Sequence, residues 1–193
     1  MERYLALELA STIRHDGDGG VADDLADERG AQRWIHAVGE GDFTDTESVR
    51  AARSELVALR QAVRALFARA VSPAPPSPAD AGRLLPVDEA LARLNTAAAR
   101  EPIAPQLAWA DGEFPTTRLL TTEPDPLVRL TAALARDAID FLAGPERDRL
   151  RACTAPRCVR YYLKRHGRQE WCKPSCGNRA RVARHYERQH GTE

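Results

Sequence analysis

Residues 151–190 read RACTAPRCVRYYLKRHGRQEWCKPSCGNRARVARHYERQH and hold the only cysteines of the 193-residue chain: Cys153, Cys158, Cys172 and Cys176. They form two close pairs, C-x4-C and C-x3-C, separated by thirteen residues. Zinc prefers a tetrahedral shell of thiolates, and two close pairs joined by a loop can surround one ion without strain. The spacing predicts one zinc ion held by all four cysteines, with a redox site or another metal as the alternative.

Four thiolates would close the coordination shell and leave no open position for a substrate or a water molecule. We therefore expect a structural zinc that folds a segment poor in apolar residues. His166, His185 and His190 are expected to be solvated or to contact phosphate, because the cysteines already saturate the ion.

The charge of the chain is divided unevenly, although its formal net charge is zero. Residues 145–193 contain 13 Lys and Arg against 5 Asp and Glu, a balance of +8, whereas residues 1–144 contain 15 Arg against 23 acidic residues, a balance of −8. This asymmetry predicts a basic module for an anionic partner. Attraction between the two parts of the chain is the alternative.

A basic helix is predicted beyond Cys176, with four cationic positions within about 100° of one another at 100° per residue. The predicted nucleic-acid contacts are this stripe, Arg181, Arg184, His185 and Arg188, together with the loop cations Lys164, Arg165 and Arg168. A solvated, charged helix face is the alternative. Arg179 lies on the other side and is predicted to hold the module together by bonding backbone carbonyls or an acidic residue.

Aromatic residues are interleaved with Arg160 and the loop cations. Tyr161, Tyr162 and Trp171 could stack on unpaired bases, as in proteins that bind single strands. The alternative, that they pack over the zinc site, is favoured for Trp171 because it adjoins Cys172, and the role of one tyrosine is left open. The sequence predicts a hairpin within residues 161–171 that turns at His166-Gly167.

Hydrophobic periodicity predicts the elements of residues 1–144. Alternating Leu5, Leu7 and Leu9 suggest a short strand, and residues 25–38 suggest a helix that stops at Gly39. A long helix is predicted from Glu47 to Ala70, with its arginines Arg53, Arg60 and Arg64 facing away from the apolar stripe.

In the second half of that region, proline and glycine mark the predicted turns and the ends of the predicted elements. Residues 72–80, SPAPPSPAD, are predicted to form an extended surface connector, and residues 87–99 a helix with Leu91 and Leu94 inward. Asp111-Gly112 predicts a hairpin. Asp125-Pro126 predicts the start of a helix that ends at Gly144-Pro145.

Together these patterns predict a mainly α fold with a small antiparallel sheet, followed by a zinc-ribbon-like or treble-clef-like module. We expect an α-rich domain over residues 1–144 and the zinc module over residues 145–193. No signal peptide, membrane span, phosphate-binding loop or catalytic motif is recognisable, so we expect a soluble, cytoplasmic protein that is not an enzyme.

The segment WCKPSCGNRARVARH resembles the CGNR zinc-finger family of bacterial proteins, which combines C-x4-C with a later WC-x3-CGNR and a basic helix. All four cysteines, Trp171, Gly177, Asn178 and Arg179 match. Trp171, Asn178 and Arg179 are accordingly expected to support the zinc site from outside the ligand set. Upstream, LALELASTIR is similar to the opening of the ABATE domain, with Ser11 where that family commonly has Asn.

The resemblance implies a stress-induced regulator of transcription, and three hypotheses follow. The first is a bacterial DNA-binding regulator whose acidic body, residues 1–144, binds an effector or forms a homodimer. The second is an RNA-binding zinc-ribbon protein. The third is a purely structural zinc module that docks on an acidic domain, which itself binds a small molecule.

Overall fold

The computed structural model describes residues 3–18, 20–38, 45–80 and 82–190. The helices in these ranges are α1 Leu5–Ala10, α2 Glu28–Val38, α3 Thr46–Val71, α4 Val87–Ala99, α5 Pro126–Ala143 and α6 Pro174–His190. The strands pair antiparallel as β1 Ile13–His15 with β2 Val21–Asp23, β3 Ala104–Ala108 with β4 Thr116–Leu120, and β5 Leu150–Ala152 with β6 Tyr161–Leu163. The predicted mainly α fold is confirmed, and the antiparallel pairing takes the form of separate two-stranded ribbons.

Helix α3 is the centre of the hydrophobic core, as its periodicity predicts. Asp45 caps it by accepting a hydrogen bond from the backbone N–H of Ser48 at 2.8 Å. The apolar stripe of α3 is buried together with Phe67 at Val49, Ala52, Leu56, Leu59, Val63 and Leu66. Helices α1, α2, α4 and α5 pack around it. The predicted stop of α2 at Gly39 lies outside the described residues.

The opening run is a helix, so the predicted strand is wrong. Ala6, Leu9 and Ala10 are fully buried, which is the i, i+3, i+4 spacing of a helix face. The N-terminus of this short helix is fixed by a distant residue, because the backbone N–H of Ala6 donates to Asp137 on α5 at 2.7 Å. The leucines alternate in sequence as they would in a strand, and in the helix Leu7 is partly buried beside the buried positions.

The arginines of α3 do not all face away from the core, contrary to the prediction. Arg60 is 4% exposed and donates to Thr12 at 2.8 Å and to Asp23 at 2.7 Å. Arg53 is partly buried and donates to the carbonyl of Leu25 at 2.8 Å. These acceptors offset much of the cost of burying the two guanidinium groups, although Arg60 Nε has no hydrogen-bond partner among the described residues.

Arg64 is the more deeply buried of these arginines, at 2% exposure. It donates to Asp80 at 2.6 Å, to Ser77 at 2.9 Å and to the carbonyl of Ala10 at 2.6 Å. Ser77 and Asp80 are therefore buried, and Pro78–Asp80 forms a 3₁₀ turn. The prediction that residues 72–80 form a surface connector is wrong at this end of the segment.

The predicted helices α4 and α5 and the hairpin between them are confirmed. Asp125 accepts from the backbone N–H of Leu127 at 2.8 Å, and Pro126 begins α5. On α4, Leu94 is buried, whereas Leu91 is 42% exposed, so its predicted inward position is wrong. The β3–β4 ribbon carries Asp111-Gly112 in its turn, and nearly all of its strand side chains are exposed.

The C-terminal module shares part of the main core. Leu150 on β5 and Tyr161 on β6 are buried with α3 residues, and the Tyr161 ring meets Phe67 edge-on at 5.6 Å. The hairpin predicted within residues 161–171 is wrong, because Tyr161–Leu163 pairs with the strand before Cys153. Residues 164–173, all of which the structure describes, contain no strand.

None of the helices in the described ranges has the length and apolar character needed to cross a membrane.

The Arg64 network predicts a large effect on stability. Arg64→Met leaves Asp80 buried without its cation, and breaking a buried pair in this way costs about 3–5 kcal/mol of the free energy of unfolding. Urea unfolding followed by circular dichroism measures it. Arg69→Ala, an exposed position on the same helix, is the control and should change that free energy by about 0.5 kcal/mol or less. Equal midpoints for the two variants would contradict the assignment.

Candidate metal centre and basic surface

The first cysteine pair lies in the connection between β5 and β6. Cys153 follows β5 directly, and its backbone N–H donates to the carbonyl of Arg160 at 2.9 Å, which extends the ladder. The turn closes when the N–H of Cys158 donates to Ala155 at 2.9 Å, with Arg157 at a positive φ of 61°. This tight turn directs both thiols to the same side.

The second pair is placed by α6. Cys172 precedes the helix, and Cys176 lies in its first turn, where its N–H donates to the carbonyl of Lys173 at 3.0 Å. The predicted basic helix is thus confirmed, but it begins at Pro174 and includes one of the cysteines. The helix axis is thereby fixed relative to the cysteine cluster.

The four sulfur atoms lie within 4.8 Å of one another. Cys158 Sγ is 3.7 Å from Cys172 Sγ, which is 3.4 Å from Cys176 Sγ. Sulfurs bound to one zinc at about 2.3 Å are about 3.8 Å apart in a tetrahedron, so the donor set and its spacing fit a single zinc ion. Four protein ligands complete the shell, which fits a structural role.

The thiols also influence one another's ionisation. Hydrogen bonding to the Cys153 thiol lowers the pKa of Cys158, and the same bond raises the pKa of Cys153. One thiolate is therefore favoured at the expense of its neighbours. A divalent cation is what allows all four to be deprotonated together.

Two of the three residues expected to support the site contact it. Arg179 donates to the carbonyl of Pro156 at 3.2 Å and to Cys176 Sγ at 3.2 Å. The Trp171 ring packs against the cluster and lies on Gly177, where an added Cβ would come within 3.2 Å of the ring. Asn178 is exposed and accepts a hydrogen bond from Arg181. The contribution of these residues to metal binding stays a prediction.

The tyrosines beside the cluster are packed. Tyr162 is buried, and its hydroxyl donates to the carbonyl of Glu170 at 2.8 Å. Tyr161 donates to Asp80 at 2.7 Å, and burial together with that carboxylate raises its pKa, so the phenol keeps its proton. His166, His185 and His190 are exposed and lie outside the cysteine cluster.

The predicted nucleic-acid contacts are brought to the surface of the module. All four stripe residues on α6 are exposed, and Arg184 lies over the Trp171 ring at 5.8 Å. Of the loop cations, Arg165 and Arg168 are exposed, whereas Lys164 is partly buried, and its backbone bonds Arg149. Nucleic-acid contact by these residues stays a prediction.

Two further cations, Arg160 and Lys173, line the same groove as Arg165 and Arg168. Arg160 stands beside the aromatic residues in the sequence, but neither side chain was among the predicted nucleic-acid contacts. Lys173 lies between the second pair of cysteines, and Arg160 follows the first pair by two positions. Both residues lie close in sequence to predicted zinc ligands, and one ion would bring those ligands together. The sequence therefore already indicated that the two cations lie near each other.

Two family models match the chain in the expected order. Residues 4–145 match the ABATE family, described as "Putative stress-induced transcription regulator", and residues 149–189 match the CGNR zinc finger. Among curated proteins, none matches the chain.

Metal removal should unfold α6 and spare the β5–β6 ribbon. Purified protein should hold about one zinc per chain, and a chelator or Cys158→Ser should release it. Hydrogen exchange should then accelerate in α6, whose buried residues are Cys176 and Ala180. The ribbon should stay protected, because Leu150 and Tyr161 belong to the main core.

Thr154→Ser, an exposed change within the first turn, is the control and should keep the zinc. Full protection of α6 in zinc-free protein would contradict the structural role of the metal.

Proposed function

This chain belongs to the ABATE family and ends in a CGNR zinc finger, and we propose that it is a bacterial, cytoplasmic regulator of transcription that binds duplex DNA through that finger. The zinc ion fixes α6, and α6 supplies the cations. The proposal assigns no catalysed reaction to the chain.

The observation that carries the proposal is the exposure of α6 beyond Ala180. From Arg181 to His190 every residue except Ala183 is exposed, and the arginines share one face. A helix with its side chains is about 10–12 Å across, which matches the width of the DNA major groove, about 12 Å. An uncovered basic helix on a rigid base is suited to this groove or to the flanking phosphates.

The alternative of docking on the acidic body finds less support. Arg184 and Arg188 are exposed, and their contacts are with Trp171 and with carbonyls of α6 itself. The stripe therefore has no carboxylate partner on residues 1–144 within the described ranges. Acidic residues of the body pair instead with arginines of the body, as Asp23 does with Arg60.

Binding of single-stranded RNA is also less well supported. Base stacking needs a free aromatic face, yet Tyr161 and Tyr162 are buried with their hydroxyls engaged. The Trp171 ring contacts Gly177, and the guanidinium of Arg184 lies over it at 5.8 Å from the ring centroid. Contacts to phosphate by arginine do not need a free ring, which favours duplex DNA.

The salt dependence of DNA binding tests the proposal. Arg181→Ala combined with Arg188→Ala should lower the slope of log affinity against log salt by about 2, because each arginine displaces roughly one counterion. Fluorescence anisotropy with duplex DNA and RNA pools measures it. Arg83→Ala with Arg118→Ala removes the same charge at exposed positions of the body and serves as the control. The proposal fails if wild-type protein does not bind the duplex DNA pool, or if both variants behave like wild type.

We place the regulatory contacts on the body, where an effector or a second copy of the chain would bind. The β3–β4 ribbon supports a second copy, because Leu107 is 73% and Phe114 92% exposed, and exposed apolar patches of this kind mark protein interfaces. Light scattering should show a dimer that Leu107→Ser with Phe114→Ser dissociates and Thr117→Ser leaves intact. A wild-type protein that is monomeric at all concentrations would refute it.

A further inference from the structure

A groove of about 1310 Å³ lies between α1 and the zinc module. Leu7 of α1 and Ser11, which directly follows that helix, contribute to one wall, and the loop before α6, with Gly177, contributes to the other. The N-terminal domain and the zinc finger therefore both line the groove.

Four cations in this groove have no ion pair or side-chain hydrogen bond among the described residues: Arg160, Arg165, Arg168 and Lys173. The other two cationic side chains of the lining that carry permanent charge are neutralised, because Arg3 pairs with Glu8 and Arg149 with Glu146, each at 2.7 Å. Glu170 is the remaining carboxylate of the lining. The groove thus keeps an excess of positive charge, which favours an anionic ligand.

The groove and the arginine stripe form one continuous surface. Gly177 lines the groove, and Arg181, Arg184 and Arg188 follow it by 4, 7 and 11 residues. At 100° per residue, all three arginines lie within about 40° of Gly177 around the helix axis. The Trp171 ring, which lies on Gly177 beneath Arg184, connects the two parts.

The length of this surface indicates a polymer. Eleven residues of helix span about 16 Å, and the groove extends the cationic surface beyond the start of α6. Several cations along a surface of this length match the repeated charge of a sugar–phosphate backbone.

We propose that duplex DNA bound on α6 continues into this groove, where one sugar–phosphate backbone contacts Arg160 and Lys173 and passes along α1. The inference rests on the proposed function and adds that the N-terminal domain forms part of the DNA-binding surface. DNA would then contact both domains at once.

Two sets of changes, made in the 193-residue chain, test it. Arg160→Gln with Lys173→Gln should lower the salt slope by about 2, as the α6 pair does. Ser11→Glu places a negative charge at the end of α1 and should weaken DNA binding several-fold relative to Ser11→Gln, which adds a side chain of similar size without the charge. Zinc content and the unfolding midpoint of each variant show that the fold is kept.

The outcomes separate the two proposals. If the groove variants bind like wild type while the α6 pair loses slope, the groove proposal is overturned and DNA binding stands. If Ser11→Glu and Ser11→Gln bind equally well, α1 is not a wall of the DNA site, and the proposal is likewise overturned. If wild-type protein does not bind duplex DNA, both proposals fail together.

Discussion

The buried guanidinium of Arg64 connects the two parts of the chain. Besides Asp80 and Ala10, it donates to the carbonyl of Val159 at 3.1 Å, and Ser77 donates to the same carbonyl at 2.8 Å. Val159 follows the zinc ligand Cys158 directly. A charge at this depth is tolerated only because every nitrogen of the group has an acceptor, so the position of the first cysteine turn depends on α3.

This network fixes orientation more than it adds stability. Apolar residues of similar volume often stabilise a protein as well as a buried ion pair does, but they would permit sliding between the module and α3. Hydrogen bonds have direction, and the hydroxyl of Tyr161 adds another bond to Asp80. The zinc module therefore has one position on the body, which keeps the groove beside α1 open and places α6 on the surface.

Features set by neighbours in sequence were predictable, and features set by distant partners were not. The cysteine spacing and the periodicity of α3 and α5 carry their own signal within a few turns. Arg60 and Arg64 resemble solvated arginines in sequence, because Asp23 and Asp80 lie 37 and 16 residues away. The opening helix was missed for the same reason, since the cap at Asp137 lies 131 residues from Ala6.

The arginine stripe of α6 lowers the stability of the helix that carries it. Like charges three or four residues apart destabilise a helix by about 0.2–0.5 kcal/mol per pair, and Arg181, Arg184 and Arg188 have this spacing. Beyond Ala180 little packing offsets that repulsion, so the helix relies on the zinc ion at its first turn and on Trp171. A polyanion would convert the repulsion into attraction, and α6 is therefore the element whose stability should gain most from binding one.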